Sequence, residues 1–498
     1  MTAEPDIQGQ IAELIALGES LLASGKLQEA AQLFKGLRAV DPANFEVNKQ
    51  LGIVLATQGD FRGAIAPLSD AVARRADDSL VWNVLSVCLF EAGDYPQALA
   101  AADAALALRR QFAAAHNNRG NALGRLDRHG EAVEAFEAAL ALEPDDPVVL
   151  VNLANVLRSL GRRPQALDRL DRALRLEARI PQAHVNRANL LQDLGRHEDA
   201  LKSYAAALAL DPNSVDARWN RSLCSLLTGH FEDGWREYEW RWRRNAPETA
   251  PRGLPQPLWL GQTPLEGKTI LLHAEQGLGD AIQFIRYAAL VAQRGARVIV
   301  EAPAPLAELF GAVEGVSQVI VRGAPLPPFD FQTPLMSLPL ALGVFTPLAA
   351  APYLATPPER MAVWRERLGP TDRLRVGLAA RGSPTHGADR DRSIPLVQMI
   401  AAFPKGPDYH LLQKELVPAD REAVASGGPR FWGEQIADFG DTAALAEQMD
   451  VVVSVDTAVA HLAGALGRPT RVLCAYDPDW RWGLTGETSP WYASVKIR

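Results

Sequence analysis

Alanine returns at a fixed interval through the first half of the chain. Ala30, Ala64, Ala98, Ala132, Ala166 and Ala200 are each 34 residues apart, and Ala71, Ala105, Ala139, Ala173 and Ala207 keep the same step. Large apolar residues recur at another offset, as Phe34, Leu68, Phe136, Leu170 and Tyr204. Gly25, Gly59, Gly93, Gly161, Gly195 and Gly229 mark a third offset, with Asp127 in the remaining place. The pattern predicts one helix pair per repeat. Small residues let two helix backbones approach, large ones fill the space between them, and glycine supplies the left-handed residue that ends the first helix. Pro42, Pro144 and Pro212 stop the second helix. Six full repeats run from about Ile11 to Ser214. A seventh, from Val215, is degenerate: Gly234 replaces the alanine, and Trp235, Tyr238, Trp240 and Trp242 crowd its second helix. End repeats cap a stack or dock on something else, and this aromatic cluster is expected to dock the stack on the next domain.

A 34-residue period with small residues at these offsets is the tetratricopeptide signature, so the first half is expected to be an all-α superhelix. One polar feature shares the period. Asn118, Asn152, Asn186 and Asn220 are 34 apart in the first helix of repeats four to seven. Asn121, Asn155 and Asn189 stand three positions on, along the same helix face. Asparagine offers one acceptor and two donors, so a regular row of it can hold an extended peptide backbone without reading sequence. Helices pack at roughly 8–10 Å and an extended chain advances about 3.3–3.6 Å per residue, giving one rung per roughly three peptide residues. The alternative is that the row satisfies local backbone groups and lines a generic polar groove. Repeats two and three lack the aligned asparagine: Val84 replaces it in the third, and Asn48 and Asn83 are out of register.

After Asn245 the period stops. A stretch with Pro247, Pro251, Pro255 and Pro257 reads as a stiff linker. From Thr269 short apolar runs alternate with helical segments. TILLHAE, a glycine loop, AIQFIRYAALVAQRG and ARVIVEA read as strand, loop, helix and strand. RVGLAA, a polar loop, PLVQMIAAF and YHLLQ form a second series, closed by VVVSVD, AVAHLAGAL and RVLCAY. Apolar strands separated by helices argue for parallel sheets covered on both faces. The proline-rich stretch Pro347–Pro358 splits them into two Rossmann-like lobes with a cleft between. The expected division is residues 1–244 for the repeats, 245–268 for the linker, 269–360 for a first lobe and 361–498 for a second.

Ligands bind at the carboxyl ends of such strands, and several loops there carry chemistry. Gln276-Gly277-Leu278-Gly279-Asp280 follows the first strand and opens a helix, at a spacing unlike a dinucleotide fingerprint. Glycines such as Gly279 let a ligand approach the backbone. Asp280 is either a helix cap or a carboxylate on the cleft rim, placed to act as a general base. Asp456-Thr457-Ala458-Val459-Ala460-His461 spans a later strand-to-helix turn. Free N–H groups and the positive dipole end attract phosphate there, and His461 lies one turn in, on the side of Thr457. A capping Asp456 with a core-facing His461 would give the same letters. The loop Ser383–Ser393 carries Arg390 and Arg392, which either neutralise a diphosphate or form a solvated charge run. Lys414, after YHLLQ, is a further phosphate candidate or plain surface. The triplets Asp389-Arg390-Asp391 and Asp477-Pro478-Asp479 are short and common, and no catalytic metal is expected.

Composition narrows the function classes. The 498 residues suffice for two to four domains. Apolar content of 48% and charged content of 22% are ordinary for a globular protein. A net charge of −8 argues against general nucleic-acid binding. No run reaches membrane-spanning length, and MTAEPDIQGQ lacks the features of a signal peptide. Cys88, Cys224 and Cys474 fit neither a metal knuckle nor a disulfide framework, so a reducing cytoplasm is the expected compartment.

Four segments carry a resemblance: HAEQGLGDAIQFIRYA from His273, THGADRDRSIPL from Thr385, SVDTAVAHLAGALGRPT from Ser454, and the PDWRWG and SPWY ending. In order and spacing they resemble bacterial proteins that join tetratricopeptide repeats to a heptosyltransferase-like glycosyltransferase domain. The layout is also similar to O-linked N-acetylglucosamine transferases, where an asparagine ladder holds the acceptor protein, and to bacterial relatives that glycosylate flagellin. The resemblance implies a GT-B-like α/β fold of two Rossmann-like lobes, the first taking the acceptor and the second the nucleotide sugar. It implies Asp280 as the base, and Asp456, Thr457, His461 and Lys414 as donor contacts; Gly279 and Arg392 complete the expected donor site. The implied activity is inverting, metal-independent transfer of a sugar from a nucleotide sugar, used as substrate with no cofactor, to Ser or Thr hydroxyls of an acceptor protein such as flagellin. Asn118, Asn121, Asn152, Asn155, Asn186, Asn189 and Asn220 would hold that acceptor. The alternatives are a non-catalytic scaffold with a degenerate transferase domain and a transferase for a saccharide acceptor. Departures from the family pattern are Ala380-Arg381-Gly382 in place of Trp-x-Gly, Glu415 after Lys414, and the end at Arg498, where relatives continue into a helix that crosses back to the first lobe. Weaker coupling between the lobes is the expected consequence of the last.

Overall fold

The computed structural model describes residues 7–244, 252–348, 352–382 and 389–498. Pro247 and Pro251 of the expected linker, residues 349–351 of the stretch between lobes, and residues 383–388 of the arginine-bearing loop lie outside the described residues, as do the Arg390 and Asp391 side chains. The chain forms two compact units, Met1–Arg196 with Ala205–Pro212, and His197–Tyr204 with Asn213–Arg498.

The first unit turns the period into helix pairs. They are Ile7–Ala23 with Leu27–Val40, Phe45–Thr57 with Phe61–Arg74, Ser79–Ala92 with Tyr95–Leu108, Ala113–Arg125 with His129–Leu142, and Pro147–Ser159 with Arg163–Leu176. Pro181–Asp193 follows, and its partner His197–Leu210 straddles the boundary between units. The recurring alanines are fully buried. Phe34, Leu68 and Phe136 lie over glycines of the preceding helix: a Cβ on Gly18, Gly52 or Gly120 would come within 2.4, 2.4 or 2.7 Å of them. The turn glycines have φ between 72° and 91°, and Asp127 adopts φ 58° in the same role. The closing bond survives the replacement: Arg128 N–H donates to the Leu123 carbonyl at 3.0 Å, as Lys26 N–H does to Leu21 at 2.9 Å. Aspartate is among the few residues that tolerate this left-handed conformation.

The second unit holds two parallel sheets. The first has four strands in the order β3-β2-β1-β4: β1 Thr269–His273, β2 Arg297–Ala302, β3 Val316–Val321 and β4 Phe331–Pro334. The second has six in the order β10-β9-β8-β5-β6-β7: β5 Arg375–Ala379, β6 Asp408–Leu411, β7 Arg430–Phe431, β8 Val451–Val455, β9 Thr470–Leu473 and β10 Val495–Ile497. Chain order reverses between β1 and β4 in one sheet and between β5 and β8 in the other. These are the switch points at which loops diverge and leave a crevice at the strand ends. The described part of the proline-rich segment is built into this unit. Trp259 is buried, its backbone N–H donates to Gln332 O at 3.0 Å, and Arg252 pairs with the buried Glu301.

The seventh helix pair, Val215–Leu227 and Phe231–Tyr238, belongs to this second unit. Trp235 and Tyr238 dock it. The Trp235 ring meets Phe284 and Trp480 edge-on, with centroids 5.5 and 5.3 Å away, and its Nε1 donates to Phe345 O at 3.1 Å. Trp240 does not join this core; it is half-exposed between Arg218 and Arg243. The long helix expected over 281–295 is broken into Leu278–Phe284, a tight turn Ile285–Tyr287 and Ala288–Ala292. The break turns Arg286 inward, where it donates to Gln283 O, Leu348 O, Trp491 O and the Tyr353 hydroxyl at 2.7–2.9 Å. Trp480 and Trp491 pack on Phe284 from the second-sheet side, so an aromatic core joins the two halves of the unit.

Candidate functional site

The loops that leave the carboxyl ends of β1, β5, β8 and β9 supply the candidate residues. After β1, Gly277 opens the helix Leu278–Phe284 and Asp280 caps it: its Oδ2 accepts the Gly277 N–H at 2.9 Å. Its Oδ1 accepts from Arg481 Nη2, from the loop after β9. Of the two readings of Asp280 in the sequence, the structure shows the helix cap, and it adds an ion pair to Arg481.

After β8, Thr457 caps the helix Ala458–Ala465, with Oγ1 accepting the Val459 N–H at 3.2 Å. His461 is buried one turn in. Its Nδ1 lies 3.0 Å from the Tyr492 hydroxyl and its ring stacks on Trp482 at 5.0 Å. Burial, reinforced by Arg481 and Arg286, drives its pKa well below the usual value, so the ring is neutral near pH 7. The opposite side of His461 faces Gly279: a Cβ there would stand 2.9 Å from His461 Cδ2 and 3.5 Å from Ala458 Cα. The first-sheet helix that carries Asp280 therefore touches the second-sheet helix directly, and only glycine leaves room for it.

Arg481 is the residue the sequence reading did not single out. It is buried, donates through Nη1 to Asp479 at 2.7 Å and through Nη2 to Asp280, and its Nε has no partner among the described residues. Burial opposes its charge, but Asp280 and Asp479 outweigh burial and raise its pKa. Burial and the Asp479 carboxylate push Asp456 upward, against the pull of Trp482, Arg481 and Arg392. These residues thus share one electrostatic neighbourhood. Arg481 stood inside the quoted PDWRWG segment, yet no local spacing ties it to Asp280, from which 201 positions separate it.

The other candidates fall elsewhere. Arg392 sits near Asp389, with Nε 3.4 Å from Oδ1, and its Nη2 lies where a Gly382 side chain would be. Lys414 is exposed and donates to Ala437 O at 2.8 Å. Arg381, at the departure from Trp-x-Gly, pairs with the buried Asp420 at 2.5 Å, and Asp420 also accepts the Leu396 N–H at 3.1 Å. In this chain Arg381 therefore braces the second-sheet half.

The asparagine row has an internal logic the period concealed. Asn118 Nδ2 donates to Asn83 Oδ1 at 2.9 Å, and Asn152 Nδ2 to Asn117 Oδ1 at 3.0 Å. Each reaches 35 residues back, into the first helix of the preceding repeat. Asn83, out of register as a rung, is the acceptor for the next rung. The corresponding residue for Asn186 is Val151. Asn186 Oδ1 accepts from Gln182 at 2.8 Å, while its buried Nδ2 finds no partner among the described residues. Asn121 and Asn189 are half-exposed and Asn155 is exposed. Asn220 lies on the seventh pair, in the second unit.

No helix among the described residues is long and apolar enough to cross a membrane. Residues 21–88, 111–179, 145–211 and 185–248 match family models described as tetratricopeptide repeat. Residues 437–496 match Glycosyltransferase family 9 (heptosyltransferase). The chain is 28% identical to Protein FlbA of Caulobacter vibrioides over 316 residues, which cover 54% of this chain and 50% of FlbA. It thus spans about half the length of that relative. Among solved structures, it is similar to the Cut9–Hcn1 hetero-tetramer of APC/C, with TM-score 0.39, 20% identity and coverage of 43% of this chain and 42% of that one. It is also similar to PilF of Pseudomonas aeruginosa, with TM-score 0.37, 19% identity and coverage of 43% and 98%. The family models and the FlbA match support a tetratricopeptide-repeat protein with a glycosyltransferase-like domain.

Proposed function

We propose that this chain is an inverting, metal-independent glycosyltransferase with a GT-B-like layout, moving a sugar from a nucleotide sugar to Ser or Thr hydroxyls of an acceptor protein. The observation that carries the reading is the meeting of the Asp280 helix with the helix N-terminus at Thr457, through Gly279, His461 and Arg481; of these, Thr457, His461 and Arg481 lie in the residues 437–496 that match a glycosyltransferase family, and Gly279 and Asp280 lie before them. The acceptor hydroxyl attacks the anomeric carbon, the bond from that carbon to the donor phosphate breaks, and Asp280 takes the hydroxyl proton, a role typically worth about 10²–10⁴-fold. The departing phosphate is held by the N–H groups around Thr457 and by Arg392 and Arg481, whose Nε is unpartnered. Lys414 can join them if the Ala437 contact gives way. The tetratricopeptide repeats, with their asparagine row, bind the acceptor and contribute proximity rather than chemistry. Flagellin is a candidate acceptor, and the cytoplasm, where nucleotide sugars are made, the compartment.

One observation favours a second reading, a nucleotide-binding scaffold without turnover: both Asp280 oxygens are already engaged, by Arg481 and by the Gly277 N–H. The full chain incubated with UDP-, ADP- and CMP-linked sugars and candidate acceptors decides between them. Nucleotide release with a matching acceptor mass gain supports transfer; nucleotide binding without release from any donor supports the scaffold. Replacing Asn152, Asn186 and Asn220 by Ala should reduce protein transfer and spare donor hydrolysis; equal effects on both would return the row to a structural role.

A further inference from the structure

We propose that Tyr238 and Arg241, from the degenerate seventh repeat, are positioning residues for the loop Glu275–Asp280, so that the last repeat is part of the transfer site. The inference rests on the reading above that Asp280 is the base. Arg241 lies in the tight turn Glu239–Arg243 that follows the last helix, and it is wholly buried. Its Nη1 donates to Glu239 Oε1 at 2.7 Å and to Tyr238 O at 3.1 Å. Its Nη2 donates to Glu275 Oε1 at 2.9 Å and to Ser337 Oγ at 2.7 Å, and Ser337 in turn donates to Glu239 Oε1 at 2.7 Å. Tyr238 hydroxyl donates to Gln276 Oε1 at 3.2 Å. Two residues of the repeat thus hold two consecutive residues at the start of the loop, and Asp280, capping Gly277, closes its far end.

The arrangement holds more negative than positive charge. Arg241 faces two carboxylates, Glu239 and Glu275, and Asp280 adds to the field. Glu275 Oε2 is buried with no partner among the described residues. Burial, opposed by Arg241 and aided by Glu239 and Asp280, lifts the Glu275 pKa to about 7. The ionic part of the grip on the loop therefore weakens as pH falls through neutrality. A core placed only for stability would more readily be apolar, because a buried ion pair contributes little net stability.

The test uses the full chain with Tyr238→Phe and Glu275→Gln, both of which keep the shape of the core. Tyr238→Phe should speed amide exchange in residues 276–284 with little change in melting temperature. It should also lower kcat about fivefold, the worth of one hydrogen bond, at nearly constant donor KM. Glu275→Gln should remove an inflection near pH 7 from the kcat profile, since the group that titrates there is gone. Unchanged exchange in 276–284 with both variants overturns the positioning role whatever the enzyme does, and so does an inflection that persists in Glu275→Gln. Faster exchange in a protein that turns over no donor would leave the positioning intact and sink the transferase reading instead.

Discussion

Gly279→Ala gives the sharpest structural test of how the site is assembled. The added Cβ would stand 2.9 Å from His461 Cδ2 and 3.5 Å from Ala458 Cα. His461 cannot retreat freely, because Trp482 stacks on its ring at 5.0 Å and the Tyr492 hydroxyl holds Nδ1 at 3.0 Å. Overpacking of this kind costs about 1–3 kcal/mol. Alanine returns up to about 1 kcal/mol of helix preference, less in a first turn. The net expectation is a loss of about 1–2 kcal/mol, or roughly 2–6 °C in the melting temperature of the α/β unit. Gly277→Ala is the control. Its Cβ would meet Asp280 Oδ2 at 3.2 Å, a contact that asks the carboxylate to give by only a few tenths of an ångström while it keeps the Gly277 N–H and Arg481. Calorimetry of both variants should therefore show a clear loss for the first and little change for the second. Equal melting temperatures for Gly279→Ala and the native chain would refute the claim that the two helices meet through this glycine.

Three further outcomes follow from the geometry. A double-mutant cycle on Asn83→Ala and Asn118→Ala should show about 1 kcal/mol of coupling in urea unfolding, the value of their hydrogen bond; no coupling would mean that the asparagines are not paired in solution. Gly161→Ala, at φ 72° with open space around it, should cost about 1 kcal/mol from backbone strain alone. Asp127→Gly should stay within about 0.5 kcal/mol of neutral, since Asp127 already tolerates the turn and its exposed side chain makes a long contact to His129, at 3.7 Å; a neutral Gly161→Ala would contradict the backbone argument. The raised pKa of Glu275, about 7 against 4.5 when unperturbed, means that folding opposes its ionisation. Its destabilising effect is absent below the unfolded value, grows as pH rises and is complete above the folded value. Glu275→Gln should therefore gain melting temperature relative to the native chain between pH 5 and pH 8, and a pH-independent difference would contradict the assignment.

The repeats were legible because small residues at fixed offsets have a single geometric use, and the same physics put Asp127 in a glycine's conformation. The strands β1, β2, β5, β6, β8 and β9 were legible as apolar runs. β3 was not, because Val316–Val321 is partly exposed and its apolar run is interrupted by Ser317-Gln318, and β7 and β10 are too short to show a pattern. The break at Arg286 was hidden because apolar residues on both sides continue a helical rhythm, while the cause, four acceptors around one guanidinium, is tertiary. At the site, Asp280, Thr457 and His461 announced themselves by their place at strand-to-helix turns. Arg481 and the Asn83–Asn118 bond did not, since each joins positions that only the fold brings together.

The central claim is chemical, and Asp280→Asn tests it most directly. Product release should be followed with the full chain, the nucleotide sugar it accepts, and an acceptor protein whose intact mass is read. The account predicts that the native chain adds sugar mass to the acceptor. Asp280→Asn, folded and still binding nucleotide, should lose on the order of 10²-fold or more in rate. Transfer by Asp280→Asn at the native rate would contradict Asp280 as the base, and nucleotide binding without transfer by either protein would contradict the enzyme.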